Sequence, residues 1–203
     1  AEPIRIKPKG ESRLDLVIAV DGYLIKEEGL RAELDGDYQF DTTNKTEVIG
    51  ALFHNYLSRT GDLFEAGRQV IDRLHGLATF TITALLYDGK ETKLINLNDD
   101  RAFEPFCYGM VDGTFVASSE SCSHRRLGSF MEREYLGAEM TVCSKHGVET
   151  KRLREELSLQ DKFQGVYFGS PGSVSGGIEN LQLRKQLGLN LVRHYDAPEF
   201  DIV

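Results

Sequence analysis

Two Asp-Gly pairs, Asp88-Gly89 and Asp112-Gly113, each sit between runs of apolar and β-branched residues. They constrain the fold more than any other feature, because the favoured tight hairpin turns need positive φ, which Asp followed by Gly supplies at little cost. Residues 77–98 and 106–119 therefore read as two antiparallel hairpins. Residues 138–144 and 147–153 read as a third pair around His146-Gly147. Ahead of these strands the apolar period is helical. Thr43 or Asn44 can cap a helix carrying Val48, Ile49, Leu52, Phe53, Tyr56 and Leu57 on one face. Asp62 caps a second, with Leu63, Val70, Ile71 and Leu74 inward, and His75-Gly76 ends it. Helices in one block and hairpins in another make an α+β layered domain, and a doubly wound parallel sheet is disfavoured.

The flanks add detail. Residues 14–20 (LDLVIAV) form a buried strand, and Asp21-Gly22 reads as a tight turn ending it. Residues 26–34 read as a short helix closed by Asp35-Gly36, and another brief helix falls around residues 121–127. Residues 164–177 read as a strand fragment followed by a Gly/Ser-rich loop, then a helix from about residue 178 to 194. The final PEFDIV reads as the start of a strand.

Charge and cysteine usage exclude several function classes. The chain has 24 Lys and Arg against 32 Asp and Glu, a net charge of -8, which argues against nucleic-acid or anionic-membrane partners. No run approaches the roughly 18 apolar residues of a membrane span, and the first residues lack the apolar core of a secretion signal. A cytoplasmic protein is the expectation. Cys107, Cys122 and Cys143 form no CxxC pair, and the five histidines show no HxH, HxxxH or HExxH spacing, so no metal site and no cofactor is expected. The SPGSVSGG stretch lacks the Lys-Ser/Thr ending of a phosphate loop and reads as a connector. His54 reads as a surface residue on the polar side of its helix, His75 as a charge partner at a helix end, and His124-Arg125-Arg126 as a solvated basic cluster. Ser118 to Ser121 have no GxSxG context or His/Asp spacing for a serine nucleophile.

Five segments in order, IAVDGYL, YQFDTTNKTEV, DGTFVASSESC with GAEMTV, GVETKRL and VYFGSPGSVSGG, resemble the glutamine phosphoribosylpyrophosphate amidotransferases. These are class II glutamine amidotransferases of the N-terminal-nucleophile (Ntn) type. The resemblance implies a four-layer αββα sandwich, incomplete here, over residues 1–155. It also implies a connector and the start of a phosphoribosyltransferase domain over residues 156–203, with the chain cut at both ends. Implied too are glutamine amide hydrolysis delivering ammonia to phosphoribosyl pyrophosphate in purine biosynthesis, glutamine or a related small molecule as ligand, and a homo-oligomer.

The family's chemistry needs an N-terminal cysteine nucleophile and an Asn-Gly pair donating to the oxyanion. Here the first residue is Ala1, so no catalytic residue is assigned. The resemblance makes Asp21, Gly22 and Lys45 the candidate substrate-binding residues. Asp21 stands where the oxyanion-binding Asn belongs, and Lys45 replaces the acid expected to meet the glutamine α-amino group. Glu104 takes the place of an arginine, and Asp161 the place of a ligand to the iron–sulfur cluster found in some members. A carboxylate beside a developing oxyanion is repulsive. These departures support an alternative, a degenerate Ntn-fold domain acting as a binding or regulatory module. A third reading is a self-contained α+β binding protein with a superficial likeness.

Overall fold

A computed structural model describes residues 3–155 and 163–195. The short strands β1 (Ile4–Arg5) and β2 (Lys7–Pro8) precede the long strand β3 (Asp15–Leu24) and helix α1 (Glu27–Leu34). After β4 (Tyr38–Gln39) come helices α2 (Lys45–Thr60) and α3 (Leu63–Leu74). Asn44 caps α2 by accepting from Thr46 N–H, and Asp62 caps α3 by accepting from Phe64 and Glu65 N–H. The first hairpin is β5 (Ala78–Tyr87) with β6 (Thr92–Asn98), and the second is β7 (Cys107–Val111) with β8 (Thr114–Ser118). At the second turn both Asp112 (φ 48°) and Gly113 (φ 78°) are left-handed, the geometry the sequence demands. Helix α4 (Cys122–Arg126), β9 (Arg133–Glu134), β10 (Glu139–Ser144) and β11 (Gly147–Arg152) follow. Beyond the undescribed residues 156–162 lie a π-helical turn (Gln164–Phe168), the strand pair β12 (Val174–Ser175) and β13 (Ile178–Glu179), and helix α5 (Asn180–His194).

Six strands form one antiparallel sheet in the order β1-β3-β5-β6-β10-β11, and β8-β7-β9 form a smaller sheet. On one face of the large sheet Leu16, Ile18, Val20, Ile82, Ala84, Ile95, Leu97 and Met140 are buried within the core cluster that also holds the apolar residues of α2 and α3. Close packing there leaves no room at Gly50 of α2, where a Cβ would lie 2.4 Å from Ile6 Cδ1 and 2.9 Å from Ile18 Cγ2. The opposite face carries the other half of each strand's alternation. Asp21, Thr81 and Asn98 form one row across three strands, and Ala19, Thr83, Asn96, Thr141 and Thr150 form the next. The smaller sheet covers this polar part, giving an incomplete sandwich of a helix layer and two sheets among the described residues. No helix among the described residues is long and apolar enough to cross a membrane.

Four expectations change. Asp21-Gly22 is not a turn: β3 runs through it to Leu24, because ten consecutive residues pair with β5, Gly22 lying opposite Phe80. Gln164–Phe168 is a π-helical turn and not a strand, with Gly169 N–H donating to Gln164 carbonyl. His54 is buried, since α2 is packed on more than its apolar stripe and every residue from Thr46 to His54 is enclosed. His124 is fully buried, so it belongs to no solvated cluster. The expected strand at residues 198–203 and Asp161 lie outside the described residues.

Candidate functional site

An open cleft of about 420 Å³ lies between the two sheets. The large sheet contributes Ala19, Val20, Asp21, Thr81 and Thr83; the end of β8 contributes Ala117 and Ser118, and Pro105, Phe106 and Ser119 complete the lining. Asp21 reaches the cavity because the odd positions of β3 face the small sheet while Leu16, Ile18 and Val20 face the helices. Its carboxylate turns back along the chain, with Asp21 Oδ1 accepting the Gly22 N–H at 2.9 Å. Gly22 has φ 123°, and a Cβ there would stand 2.1 Å from the Thr79 carbonyl oxygen, so only glycine fits. The Asp21-Gly22 pair is thus a glycine-dependent stretch of strand at the rim of the cleft.

Lys45 occupies the first helical position of α2, and it is not among the residues lining the cavity. Of the three candidate residues Asp21 lines the cleft, whereas Gly22, its neighbour in the chain, and Lys45 are not among the lining residues. Next to Lys45, Glu47 accepts from Asp41 N–H, Thr42 N–H and Thr42 Oγ1 at 2.9 to 3.0 Å, fixing the loop that leads into α2. Glu104 accepts from Thr79 Oγ1 at 3.3 Å. Asp99 is buried and accepts from Phe80 and Arg101 N–H, and burial pushes its carboxyl above the ordinary range. Its work is to pin the chain that follows β6 against β5.

Two groups escaped sequence reasoning. Glu120 accepts from Ser170 N–H at 2.9 Å, Ser173 Oγ at 2.7 Å and Cys122 Sγ at 3.6 Å. Ser121 Oγ accepts from Val174 N–H at 2.7 Å. The SSESC stretch is the dock for the Gly/Ser-rich connector, and only a contact across about 50 positions reveals it. Cys107 is buried and its thiol is pushed up by that burial, while its Sγ donates to the Ser118 carbonyl at 3.3 Å. An uncharged thiol so placed is a poor nucleophile. The described residues hold no group of three or more His, Cys, Asp or Glu arranged to bind a metal ion.

Comparison with known proteins places this geometry. Among curated relatives, the amidophosphoribosyltransferase of Archaeoglobus fulgidus is 29% identical over 195 residues, covering 95% of this chain and 41% of the relative. That of Bacillus subtilis is 26% identical over 199 residues, covering 96% of this chain and 40% of the relative. The chain thus spans about two fifths of the length of these relatives. Among solved structures, the glutamine phosphoribosylpyrophosphate amidotransferase from B. subtilis complexed with ADP and GMP superposes with a TM-score of 0.78 at 24% identity, over 97% of this chain and 42% of that one. A structure described as the allosteric regulatory enzyme of purine biosynthesis gives 0.77 at 24% identity, over 97% and 41%. The fold is therefore the Ntn-type domain that the motif order implies. The sequence profile of the glutamine amidotransferase domain matches residues 6–123, more than half of the chain, and the chain belongs to that family.

Proposed function

We propose that this chain is the glutaminase-type domain of an amidophosphoribosyltransferase-like protein of purine biosynthesis. In such a protein it would serve hydrolysis of the glutamine amide and delivery of ammonia to phosphoribosyl pyrophosphate. The ordered likeness over 95% of the chain to the A. fulgidus relative supports this role. Exposed apolar residues along α5, among them Leu187, Leu189, Leu191 and Val192, support the homo-oligomer that belongs to the same reading.

One observation favours a second reading, a degenerate domain that binds a small molecule and no longer hydrolyses glutamine. In the family the Asn side chain and the Gly N–H both donate to the oxyanion. Here Asp21 replaces the first donor with a carboxylate and occupies the second by accepting the Gly22 N–H. Loss of one such donor costs about 3 kcal/mol of transition-state stabilisation, and a negative charge in its place costs more. The full-length protein tests both readings through formation of phosphoribosylamine from phosphoribosyl pyrophosphate. Activity with ammonia but not with glutamine supports the second reading. Equal support by both nitrogen sources supports the first and rules the second out.

A further inference from the structure

We infer that the turn Asp112-Gly113 is a site of spontaneous backbone isomerisation to isoaspartate, and so a substrate for a protein isoaspartyl carboxyl-methyltransferase. The inference is independent of both readings above, since the turn lies at the opposite end of β8 from Ala117 and Ser118, which line the cleft.

In any Asp-Gly pair the glycine nitrogen can attack the aspartate Cγ. The nitrogen gives up its proton, the new N–Cγ bond closes a five-membered succinimide, and the carboxyl hydroxyl leaves as water. Water then opens the ring. Opening at the α-carbonyl leaves the main chain running through Cβ and Cγ, one methylene longer, with a free α-carboxylate. Glycine admits the attack because no side chain crowds its nitrogen. Two conditions set the rate within a fold. The main chain must turn to bring the nitrogen onto Cγ, and the carboxyl must take up a proton before water can leave.

The chain has four Asp-Gly pairs, and the structure holds three of them in place. Asp21 and Gly22 lie inside the continuous β3–β5 ladder, opposite Thr81 and Phe80, so ring closure there requires the ladder to open. Asp35-Gly36 is tied into the end of α1. Asp37 N–H donates to the Leu34 carbonyl at 3.0 Å, Lys9 N–H to the Asp37 carbonyl at 2.8 Å, and Lys9 Nζ to the Asp35 carbonyl. Asp88 accepts from Lys93 Nζ at 2.8 Å and from Lys90 and Glu91 N–H at 3.0 Å, and these partners hold its carboxyl well below the usual carboxylate range. A carboxylate kept ionised is a poor electrophile.

Asp112-Gly113 is built differently. The β7–β8 register closes at Val111 opposite Thr114, so both residues of the pair stand outside the ladder. Both are exposed, Asp112 has φ 48°, and a Cβ at Gly113 would have open space around it. The left-handed conformation costs Asp112 about 1 to 2 kcal/mol, which favours leaving it whenever the tip moves. That rearrangement breaks no rung of the β7–β8 ladder.

Peptide mapping of the aged full-length protein tests the inference, because trypsin places the four pairs in separate peptides, residues 14–26, 32–45, 74–90 and 102–125. Isoaspartate is read by methyl transfer from labelled S-adenosylmethionine and by resistance to endoproteinase Asp-N. Each pair is compared with itself in denaturing urea. Folding is expected to slow three of the pairs by roughly tenfold or more, and Asp112-Gly113 by less than about threefold. Asp112→Glu, which cannot close a five-membered ring, is expected to abolish the signal from residues 102–125 and leave the others unchanged. Asp112→Asn is expected to raise it, since an amide loses ammonia more readily than a carboxylate loses water. Should either variant fail to fold by circular dichroism, the comparison of folded with urea-treated wild type decides. Equal slowing at all four pairs, faster conversion at any of the other three, or no isoaspartate at residue 112 in the folded protein would each overturn the inference.

Discussion

Gly22→Ala examines the geometry at the rim of the cleft. An added Cβ meets Thr79 O at 2.1 Å, Thr79 C at 2.7 Å and Phe80 Cα at 2.8 Å, all backbone atoms of the paired strand β5. Flexible side chains could swing away, but a ladder strand cannot move without lengthening its own hydrogen bonds. The φ of 123° adds strain for any L-residue, about 1 to 3 kcal/mol. Losing one or two ladder bonds adds about 1 kcal/mol each. The sum is about 2 to 5 kcal/mol, which for a chain of this size lowers the melting temperature by roughly 10 °C. Two other glycines serve as controls. Gly113 shares a positive φ of 78° but has open space at its Cβ, so Gly113→Ala carries backbone strain alone. Gly36 has open space and no positive φ, so Gly36→Ala should be nearly silent. Denaturant titration of the three variants should rank Gly22→Ala well below Gly113→Ala, with Gly36→Ala near wild type. Gly22→Ala no worse than Gly113→Ala would refute the close approach of β3 and β5 at the cleft and restore an open turn there.

Two further outcomes follow from buried polar groups. The His54 ring is held between Tyr38 Oη at 2.8 Å and Ser12 Oγ at 3.0 Å, and burial lowers its pKa. The unfolded chain therefore takes up the proton first as pH falls. The stability that His54 contributes is complete above its unfolded pKa of about 6.5 and declines below it by up to about 1.4 kcal/mol per pH unit. Urea titrations at pH 7.5 and 5.5 should show that decline, and His54→Gln should flatten it; an unchanged slope in the variant would refute the assignment. Glu120→Ala strips the acceptor from Ser170 N–H and Ser173 Oγ, at about 1 to 3 kcal/mol for the groups left unpaired. Limited proteolysis should then cut the connector at residues 170–177 faster than in wild type, and equal cutting would show that Glu120 does not hold it.

The parts of the fold legible in the sequence are those set by local chemistry. Asn44 and Asp62 act as the caps their positions announce, and Asp112-Gly113 turns as its φ requirement dictates. Asp21-Gly22 carries the same local signal and does not turn, because the β3–β5 ladder continues through Gly22 to Leu24. The dipeptide states what the backbone can do, and tertiary pairing decides what it does. His54 misleads for a related reason, since a helix enclosed on several sides has no polar face to read. The cleft is legible only through the motif order, which singles out Asp21 and Gly22. Neither the capture of the Gly22 N–H by Asp21 nor the docking of the connector on Glu120 leaves a trace in spacing.

The most direct test of the cleft as described is the rate at which the full-length protein releases glutamate from glutamine, with ammonia-supported phosphoribosylamine formation as the positive control. On the second reading, with the Gly22 N–H held by Asp21 and a carboxylate in place of the other donor, release should stay at the level of a protein-free blank while the ammonia reaction proceeds. Steady, saturable glutamate release by the wild-type protein would contradict it.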